Sequence, residues 1–443
     1  MQELRIDIVA PGEERWDAAR QAFNLAIDQQ PSFVAYPESV DDVVAIVEYA
    51  RDNGLRVAPQ RTGHAAGALD SLADTVLLRT ERLHGVEVDP EACRARVQAG
   101  AQWADVTAVA SPHGLAALAG SSPNVGVVGY TLGGGLSFLS RKLGFAANSV
   151  TAIELVTAEG RVVRADADNE PELFWALRGG GGSFGIVTAI EFELHETPEL
   201  YAGALFFPLA RAAEVMRAWH SVASAAPEEL MTIGRFLQVP DVEGPPPPLR
   251  GRAFAVIEAI YLGDEATATE LLRPVRDLGP EIDTLAPVEP AALGQLHMDP
   301  PEPVPAATDH VLTTDLPPAG LDALIAAAGP DAGSSLVSVE LRQTGGALAR
   351  EEANRGALAS IPGAFSLFAV GALMDPALES KVREDLARVR AAVAPYEAGR
   401  YFNFSDAPAD ADAFFDDDTL ARLRAVKAEW DPDGRFVAAH PVR

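Results

Sequence analysis

Cysteine is nearly absent from this chain. Cys93 is the one cysteine in 443 residues, so the chain cannot form an intrachain disulfide or a metal site built from several thiolates. The eight histidines are scattered without metal-ligand spacing, and we expect no metal site. Because an isolated cysteine behaves as a small apolar side chain, we expect Cys93 to be buried.

Basic residues are also scarce. Lysine and arginine number 35 against 64 acidic residues, which gives a formal net charge of −29. Nucleic-acid binding needs clustered positive side chains, so this composition argues against a nucleic-acid partner. The amino terminus lacks a basic start followed by an apolar stretch, and no apolar run approaches the ~20 residues that cross a bilayer. We therefore expect a cytoplasmic protein with no membrane partner.

Glycine, by contrast, is concentrated in three segments. RTGHAAG begins at Arg61, GSSPNVGVVGYTLGGG at Gly120, and LFWALRGGGGSFGIVT at Leu173. Glycine lets a phosphate or a flat ring approach main-chain N–H groups, at a cost of roughly 0.5–1 kcal/mol per position in regular structure. Together the segments indicate one large anionic cofactor. The glycines at 133–135 lack the spacing and the later acidic residue of a nicotinamide dinucleotide site.

Local patterns divide the chain into two parts. The residues after Ser39 predict a helix that ends at Gly54, and LRVAPQ predicts a strand leading into RTGHAAG. Mixed strands and helices continue to Pro198. Amphipathic helices then alternate with strands, which predicts a second domain of helices against an antiparallel sheet. TLARLRAVKAEWDPDGRF, near the end, predicts a further helix.

The three glycine segments, the Tyr401-Phe402-Asn403 triplet and WDPDGRF resemble the berberine-bridge-enzyme-like flavoproteins. These proteins have the vanillyl-alcohol-oxidase, or PCMH-type, FAD-binding fold. The resemblance implies a two-domain α+β protein. Residues 1–198 are then the FAD-binding domain, 199–396 the substrate-binding domain with an antiparallel sheet covered by helices, and 397–443 a segment that returns to the FAD domain.

His64 matches the family histidine that carries flavin through its 8α-methyl group. A neutral imidazole, with an ordinary pKa of ~6.5, is the nucleophile that such a bond needs; an ordinary loop histidine is the alternative. Many relatives have a second link through a cysteine before the proline of the second segment, where this chain has Ser122. A hydroxyl is a far weaker nucleophile than a thiolate. The resemblance therefore implies FAD held by one covalent bond, through His64.

The resemblance also implies contacts around the cofactor. Arg61, Thr62 and Gly63 are expected to give the diphosphate a guanidinium and main-chain donors. Val125 matches an oxygen gate beside the flavin, where valine favours an oxidase and leucine a dehydrogenase; core packing alone also explains a valine. The full predicted cofactor-binding set is Pro59, Arg61, Thr62, Gly63, His64, Ala65, Gly67, Gly120, Ser121, Ser122, Val125, Gly126, Gly129, Tyr130, Gly133, Gly134, Gly135, Gly182, Gly185, Val187 and Asn403.

Catalysis in this family needs a base, because flavin N5 accepts a hydride while a proton leaves the heteroatom. Tyr401 matches a family tyrosine near the ring, and a phenol acts as a base only if positive charge lowers its pKa. In SLVSVELRQ the strand period places Ser338, Glu340 and Arg342 on one face. Arg342 is then the cation beside Tyr401, and Glu340 is the competing base. A solvent-exposed strand face is the alternative.

The whole pattern favours an oxidase that takes a hydride from an alcohol, a lactol or a secondary-metabolite carbinol. Its partners are then a small-molecule substrate and O2, which is reduced to H2O2, and a homodimer is compatible with the sequence. Two alternatives stay open. One is a flavin dehydrogenase with a non-oxygen acceptor, and the other is a non-catalytic FAD-containing protein that binds small molecules.

Overall fold

In the computed structural model of this chain, the predicted helix after Ser39 forms at Val40–Asp52. The Ser39 hydroxyl accepts the Asp42 N–H, and the Asp42 carboxylate accepts the Ser39 N–H. This reciprocal cap satisfies two donors that a helix start leaves unpaired. The helix ends before Gly54, whose φ of +66° is in the left-handed region that glycine adopts easily. Both local predictions are confirmed.

The structure describes residues 6–351 and 355–443. The first elements, in chain order, are β1 (Asp7–Val9), α1 (Trp16–Ala19), β2 (Phe33–Tyr36), α2 (Val40–Asp52), β3 (Arg56–Gln60), β4 (Thr75–Arg79), β5 (Val86–Asp89), β6 (Arg94–Gln98), α3 (Trp103–Ala110), β7 (Leu115–Ala116), α4 (Val127–Leu132), α5 (Ser140–Leu143), β8 (Val150–Val156), β9 (Val162–Asp166), α6 (Pro171–Leu177), β10 (Ile186–Glu193) and β11 (His195–Glu196).

Two sheets and a short ribbon organise this first domain. One sheet has the strand order β1-β2-β4-β3, in which β2, β4 and β3 run parallel. The other has the order β5-β6-β10-β8-β9 and is antiparallel, and β7 pairs with β11. Helix α2 covers the first sheet, because Ile46 and Val47 are buried with Val57 of β3. Strand β3 is thereby held in place where it enters the RTGHAAG segment.

The later elements form a second domain and a tail. They are β12 (Leu200–Pro208), α7 (Ala212–Ala225), β13 (Leu230–Gln238), β14 (Ala253–Leu262), α8 (Glu265–Arg276), β15 (Ile282–Asp283), β16 (Ala286–Pro287), β17 (Ala306–Thr313), α9 (Pro318–Ala328), β18 (Ser338–Gln343), β19 (Phe365–Ala372), α10 (Glu379–Val393), β20 (Glu397–Gly399) and α11 (Asp417–Trp430).

The two faces of the second domain's nine-stranded sheet have different partners. The strand order is β15-β12-β14-β13-β18-β19-β17-β20, with β16 paired to β12, and neighbours are antiparallel. Helices α7 to α10 bury one face, with Trp219 and Leu324 in that core. The opposite face meets the first domain, where Ile233 of β13 is buried with Phe138. The predicted two-domain α+β architecture is confirmed.

The tail contacts both domains. Strand β20 lies at the edge of the nine-stranded sheet, paired with β17. Helix α11 is buried against the first domain through Leu423 and Trp430, and Phe436 pairs with Val57 of β3. The residues between β20 and α11 therefore cross the boundary between the two domains.

The prediction that Cys93 is buried is wrong. Cys93 is half-buried in the short turn between β5 and β6, where its φ is +49°. The Asp89 carboxylate accepts the N–H groups of Glu91 and Ala92 and closes this turn at the surface. Turn geometry, and not the apolar character of the thiol, decides its exposure.

Candidate flavin and substrate site

The loop after β3 presents unpaired main-chain donors. Within the described ranges, the N–H groups of Thr62, Gly63, His64 and Ala65 donate to no acceptor. Gly63 has a φ of +82°, and a Cβ there would lie 2.9 Å from the Gln60 side chain. A row of free N–H groups at a glycine turn fits the phosphates of an anionic cofactor. The residues present therefore fit the FAD that the sequence predicts.

His64 sits in this loop as a neutral imidazole. Its ring stacks on Phe23 with 3.9 Å between ring centres, and its Nδ1 lies 2.8 Å from Thr62 Oγ1. Burial lowers the pKa of His64 to about 4, and the nearby Asp299 carboxylate opposes this shift only in part. The ring is therefore uncharged at neutral pH, as a nucleophile must be.

The second glycine segment packs against the first. A Cβ at Gly126 would lie 3.1 Å from the Arg61 side chain, whose Nε donates to the Gly100 carbonyl at 2.5 Å. The Ser122 hydroxyl donates to the Asn124 side chain at 3.0 Å, and the Val125 carbonyl accepts the Trp103 N–H at 3.1 Å. The segment is thereby held beside the loop that carries His64.

Several glycines of the predicted cofactor set are required by packing within the protein. A Cβ at Gly133 would lie 1.9 Å from Asn403 Oδ1. The Asn403 amide in turn donates to the Tyr130 carbonyl at 2.8 Å. At five other glycines an added Cβ would also lie within 3.0 Å of protein atoms, so close packing explains the residue there. These are Gly67, Gly120, Gly134, Gly135 and Gly185. At these positions a cofactor is not needed to explain the residue.

The other members of the set have more varied surroundings. Gly129 has nothing within 4 Å of an added Cβ, and Gly182 has only Ala438 Cβ, at 3.8 Å. Pro59 lies within β3 opposite Leu78. Val187 is buried in the core of the first domain, so its side chain has a packing role.

Strand β18 buries both of its faces. Ser338, Glu340 and Arg342 are 4%, 2% and 2% exposed, so the alternative of a solvated strand face is wrong. Val339 and Leu341 point to the helices, and the polar trio points to the first domain. The predicted alternation is confirmed, and its polar face is buried between the domains.

Neighbouring residues complete a buried charged cluster that the sequence did not predict. Arg235 of β13 lies 3.2 Å from Glu258 of β14, and Arg342 lies 3.2 Å from Glu340. His297 connects the two pairs, with Nδ1 at 2.8 Å from Glu258 and Nε2 at 2.8 Å from Glu340. A lone charge in an apolar strand, such as the arginine in LMTIGRFLQ, is the signal that could have found this cluster.

The charged groups of this cluster shift one another's pKa values and so determine which of them carry a proton. Burial lowers the pKa of His297, but Glu258 and Glu340 outweigh it and raise that pKa to about 9. Burial raises the pKa of Glu340, but Arg342 and His297 hold it well below the usual range of a carboxyl. At neutral pH His297 is therefore an imidazolium and Glu340 a carboxylate.

Tyr401 does not meet the condition for a base. It is fully buried, and burial raises the pKa of its hydroxyl well above the ordinary value. The Asn403 amide donates to that hydroxyl at 3.2 Å, while Arg342 pairs with Glu340. The phenol stays protonated at neutral pH, and the predicted pairing of Arg342 with Tyr401 is replaced by the ion pair with Glu340.

Asp406 is a site candidate that the sequence analysis missed. Thr308 Oγ1 donates to its Oδ2 at 2.6 Å, and burial raises the pKa of Asp406 to about 6. Its carbonyl lies 2.6 Å from the position of a Cβ on Gly67, three residues after His64. The signal was its place two residues after the aromatic YFNF run.

These residues converge where the domains meet. Ser121 Oγ lies 3.5 Å from Asp299 Oδ2 and 3.4 Å from Arg342 Nη2. The negative charge of Asp299 also raises the pKa of His64, against the larger effect of burial. The loop of the first domain and the charged face of the second sheet therefore bound one site.

Two family models match this chain. The model described as FAD binding domain matches residues 31–166, and the one described as berberine and berberine like matches residues 400–443. The chain is 35% identical over 192 residues to (R)-6-hydroxynicotine oxidase of Paenarthrobacter nicotinovorans, which covers 43% of this chain and 42% of that protein. It is 27% identical over 447 residues to an uncharacterized FAD-linked oxidoreductase, YvdP, of Bacillus subtilis. This match covers 97% of this chain and 96% of that protein.

Solved structures share the fold over nearly the whole chain. A berberine-bridge-enzyme-like protein of Physcomitrella patens has a TM-score of 0.85 at 22% identity, covering 99% of this chain and 98% of that one. Glucooligosaccharide oxidase from Acremonium strictum has a TM-score of 0.82 at 22% identity, covering 99% of this chain and 97% of that one. That oxidase is described with 6-S-cysteinyl, 8α-N1-histidyl FAD.

The fold and the site together define a two-domain flavoprotein of the PCMH type. The two family matches support a berberine-bridge-enzyme-like FAD-linked oxidoreductase, and the solved structures show the same fold. The match to the nicotine oxidase spans less than half of that relative's length.

Proposed function

We propose that this protein is an FAD-dependent oxidase of an alcohol, a lactol or a secondary-metabolite carbinol. The observation that carries the proposal is the neutral His64 on a loop of free N–H groups. Asp299, which raises the pKa of His64, lies 4.0 Å from His297 and so connects this loop to the buried charged cluster. Relatives named as oxidases of hydroxynicotine, xylooligosaccharide and glucooligosaccharide support this class of reaction.

The chain holds the cofactor mainly through the first glycine segment. We expect the free N–H groups at 62–65 to bind the FAD diphosphate and His64 to carry the single covalent link. Ser122 hydrogen-bonds to Asn124 and offers no thiolate for a second link.

Two carboxylates have different roles toward the substrate in this proposal. FAD, when bound, supplies the hydride acceptor. Asp406, with a pKa of about 6, is matched to accept the hydroxyl proton on its carboxylate at neutral pH. Glu340 is a weak base because its pKa is low, and it orients the substrate hydroxyl by accepting its hydrogen bond. This division replaces the sequence-based choice between Tyr401 and Glu340.

The test of the proposed function is anaerobic reduction of the purified holoenzyme. A panel of sugars, aromatic alcohols and polyketide-like carbinols should contain a compound that bleaches the flavin band, and air should restore the colour with release of H2O2. Bleaching without reoxidation in air would favour a dehydrogenase. Spectral shifts without any bleaching would favour a non-catalytic binding protein.

His64→Ala should remove covalent flavin. Wild-type protein is expected to stay yellow after denaturing precipitation, because the bond survives unfolding, whereas the variant should release its FAD. The control is His113→Ala, which changes an exposed histidine of the same domain. Retention of flavin by the His64 variant would refute the covalent link.

Val125→Leu should slow flavin reoxidation. The side chain of Val125 is half-buried beside the core around Trp103, and an added methylene would narrow the approach of O2 to the ring. Stopped-flow mixing of reduced enzyme with oxygenated buffer measures the rate. Val109→Leu, at a 42% exposed residue of α3, is the control, and an unchanged rate in Val125→Leu would contradict the gate.

A further inference from the structure

Arg342 uses only part of its hydrogen-bonding capacity. It is 2% exposed, and its Nη2 lies 3.2 Å from Glu340 Oε1 and 3.4 Å from Ser121 Oγ. Its Nε and Nη1 are buried and donate to no group in the described part of the chain. A buried donor without an acceptor is costly and rare in native proteins. The two nitrogens therefore point to a ligand acceptor.

Two phenylalanine rings flank this guanidinium. Arg342 Cζ lies 5.4 Å from the ring centre of Phe138 and 5.5 Å from that of Phe404. Aromatic faces attract a cation, but they do not replace an oxygen acceptor for Nε and Nη1. They do offer apolar surfaces against which a flat ligand can pack.

Arg342 shares its carboxylate partner with His297. Among the described residues, Glu340 is the one carboxylate within 4.0 Å of its guanidinium. Glu340 is also paired with His297, whose two ring nitrogens both face carboxylates and must therefore both carry protons. Glu340 is therefore shared between two cations, and an anionic oxygen beside Arg342 would give its Nε or Nη1 the acceptor that these atoms lack.

We propose that Arg342 anchors an anionic group of the substrate, namely a carboxylate on an aromatic or similarly flat body that packs against Phe138 and Phe404. A carboxylate oxygen accepts a hydrogen bond from Nη1. The inference rests on the proposed function, and it narrows the substrate class to carbinols that carry an acid group.

Benzoate is the probe for this anchor, and benzamide is its uncharged counterpart of the same shape. FAD content is measured first, by absorbance of the purified holoenzyme. Isothermal calorimetry should then show that benzoate binds at least about tenfold more tightly than benzamide, the fold-change expected for a hydrogen bond to a charged group. Benzoate should also perturb the flavin absorption band.

Substitutions test whether Arg342 is the residue that binds benzoate. Arg342→Met should weaken benzoate binding by about tenfold or more. Arg342→Lys keeps the charge and should weaken it less. Arg383→Met, at a side chain 61% exposed on α10, should leave it unchanged. If Arg342→Met fails to fold, the anchor is still tested by the benzoate affinity of Arg342→Lys and by the comparison of benzoate with benzamide on the unaltered enzyme.

Three results would overturn the anchor. These are no binding of benzoate, equal binding of benzoate and benzamide, and unchanged benzoate affinity in Arg342→Met. If that last result comes with an altered flavin spectrum, the Arg342 donors serve the cofactor. Protein that takes up no FAD refutes the proposed function instead, so the two failures are distinguishable.

Discussion

At the scale of single residues, different surroundings give three acidic groups near the domain boundary different protonation states. Burial with one hydroxyl partner raises the pKa of Asp406 to about 6. Burial among cations leaves the Glu340 carboxyl ionised. Burial raises the pKa of the Tyr401 phenol, and its hydrogen bonds and the Arg342 charge offset this only in part, so the phenol stays protonated. Only the first of these groups can take up a proton near neutral pH without a large cost in free energy.

Asp406→Asn should lower kcat/KM by about 10²- to 10⁴-fold, the usual contribution of a general base. In wild-type enzyme kcat/KM should rise with pH through about 6, as Asp406 loses its proton, and then level off. The variant should lack that rise. A pH profile with the best substrate of the panel measures both effects.

The control for this prediction is Asp412→Asn, which removes the same charge from an exposed residue of the same segment. Its pH profile should match that of wild type. A normal rise through pH 6 in Asp406→Asn would exclude Asp406 as the proton acceptor.

At the scale of elements, helix α10 is fastened to the entry of β18. Asp385 accepts the N–H and the hydroxyl of Ser335 at 2.6 and 2.7 Å, and it pairs with Lys381 at 2.9 Å and Arg388 at 2.7 Å. Burial raises the pKa of Asp385, but the Ser335 hydrogen bonds and the two cations outweigh it and lower the pKa to about 2. This contact positions the strand that carries Glu340.

Asp385→Asn should reduce the free energy of unfolding by about 2 kcal/mol at pH 7, because hydrogen bonds to a charged group are lost. A carboxyl with a lowered folded-state pKa stabilises above its unfolded pKa of ~3.9 and loses that effect as pH falls. The difference between wild type and variant should therefore shrink between pH 4 and pH 2. Urea unfolding at a series of pH values measures it.

Glu384→Gln is the matched control, since Glu384 is an exposed acid on the same helix. It should change the urea midpoint very little. Equal midpoints for Asp385→Asn and wild type at pH 7 would show that the contact does not stabilise the fold.

At the scale of the whole molecule, the site is built by parts that are distant along the chain. The loop at 61–67, the charged face of β18 and the residues before α11 meet at the domain boundary. In the described part of the chain, no helix combines the length and the apolar composition needed to span a bilayer. A cofactor bound at this boundary would contact both domains, so its binding should stabilise the whole protein.

His64→Ala should make stability depend on FAD concentration. Without the covalent link, bound FAD is in equilibrium, and free FAD at 100 times Kd should add about 2.7 kcal/mol to the free energy of unfolding. The melting temperature of the variant should therefore rise as FAD is added, whereas that of the covalent wild-type holoenzyme should not. A melting temperature of the variant that is insensitive to FAD would contradict binding at this site.

The sequence by itself determined the features that depend on local pattern. These include the helix cap at Ser39, the strand leading to the His64 loop, the two-faced alternation of β18 and the α+β class. Only the tertiary structure decided why Gly133 must be glycine, and which of Tyr401, Glu340 and Asp406 can accept a proton. The reason is that packing clearance and pKa depend on neighbours brought close by folding, and strand periodicity carries no information about those neighbours.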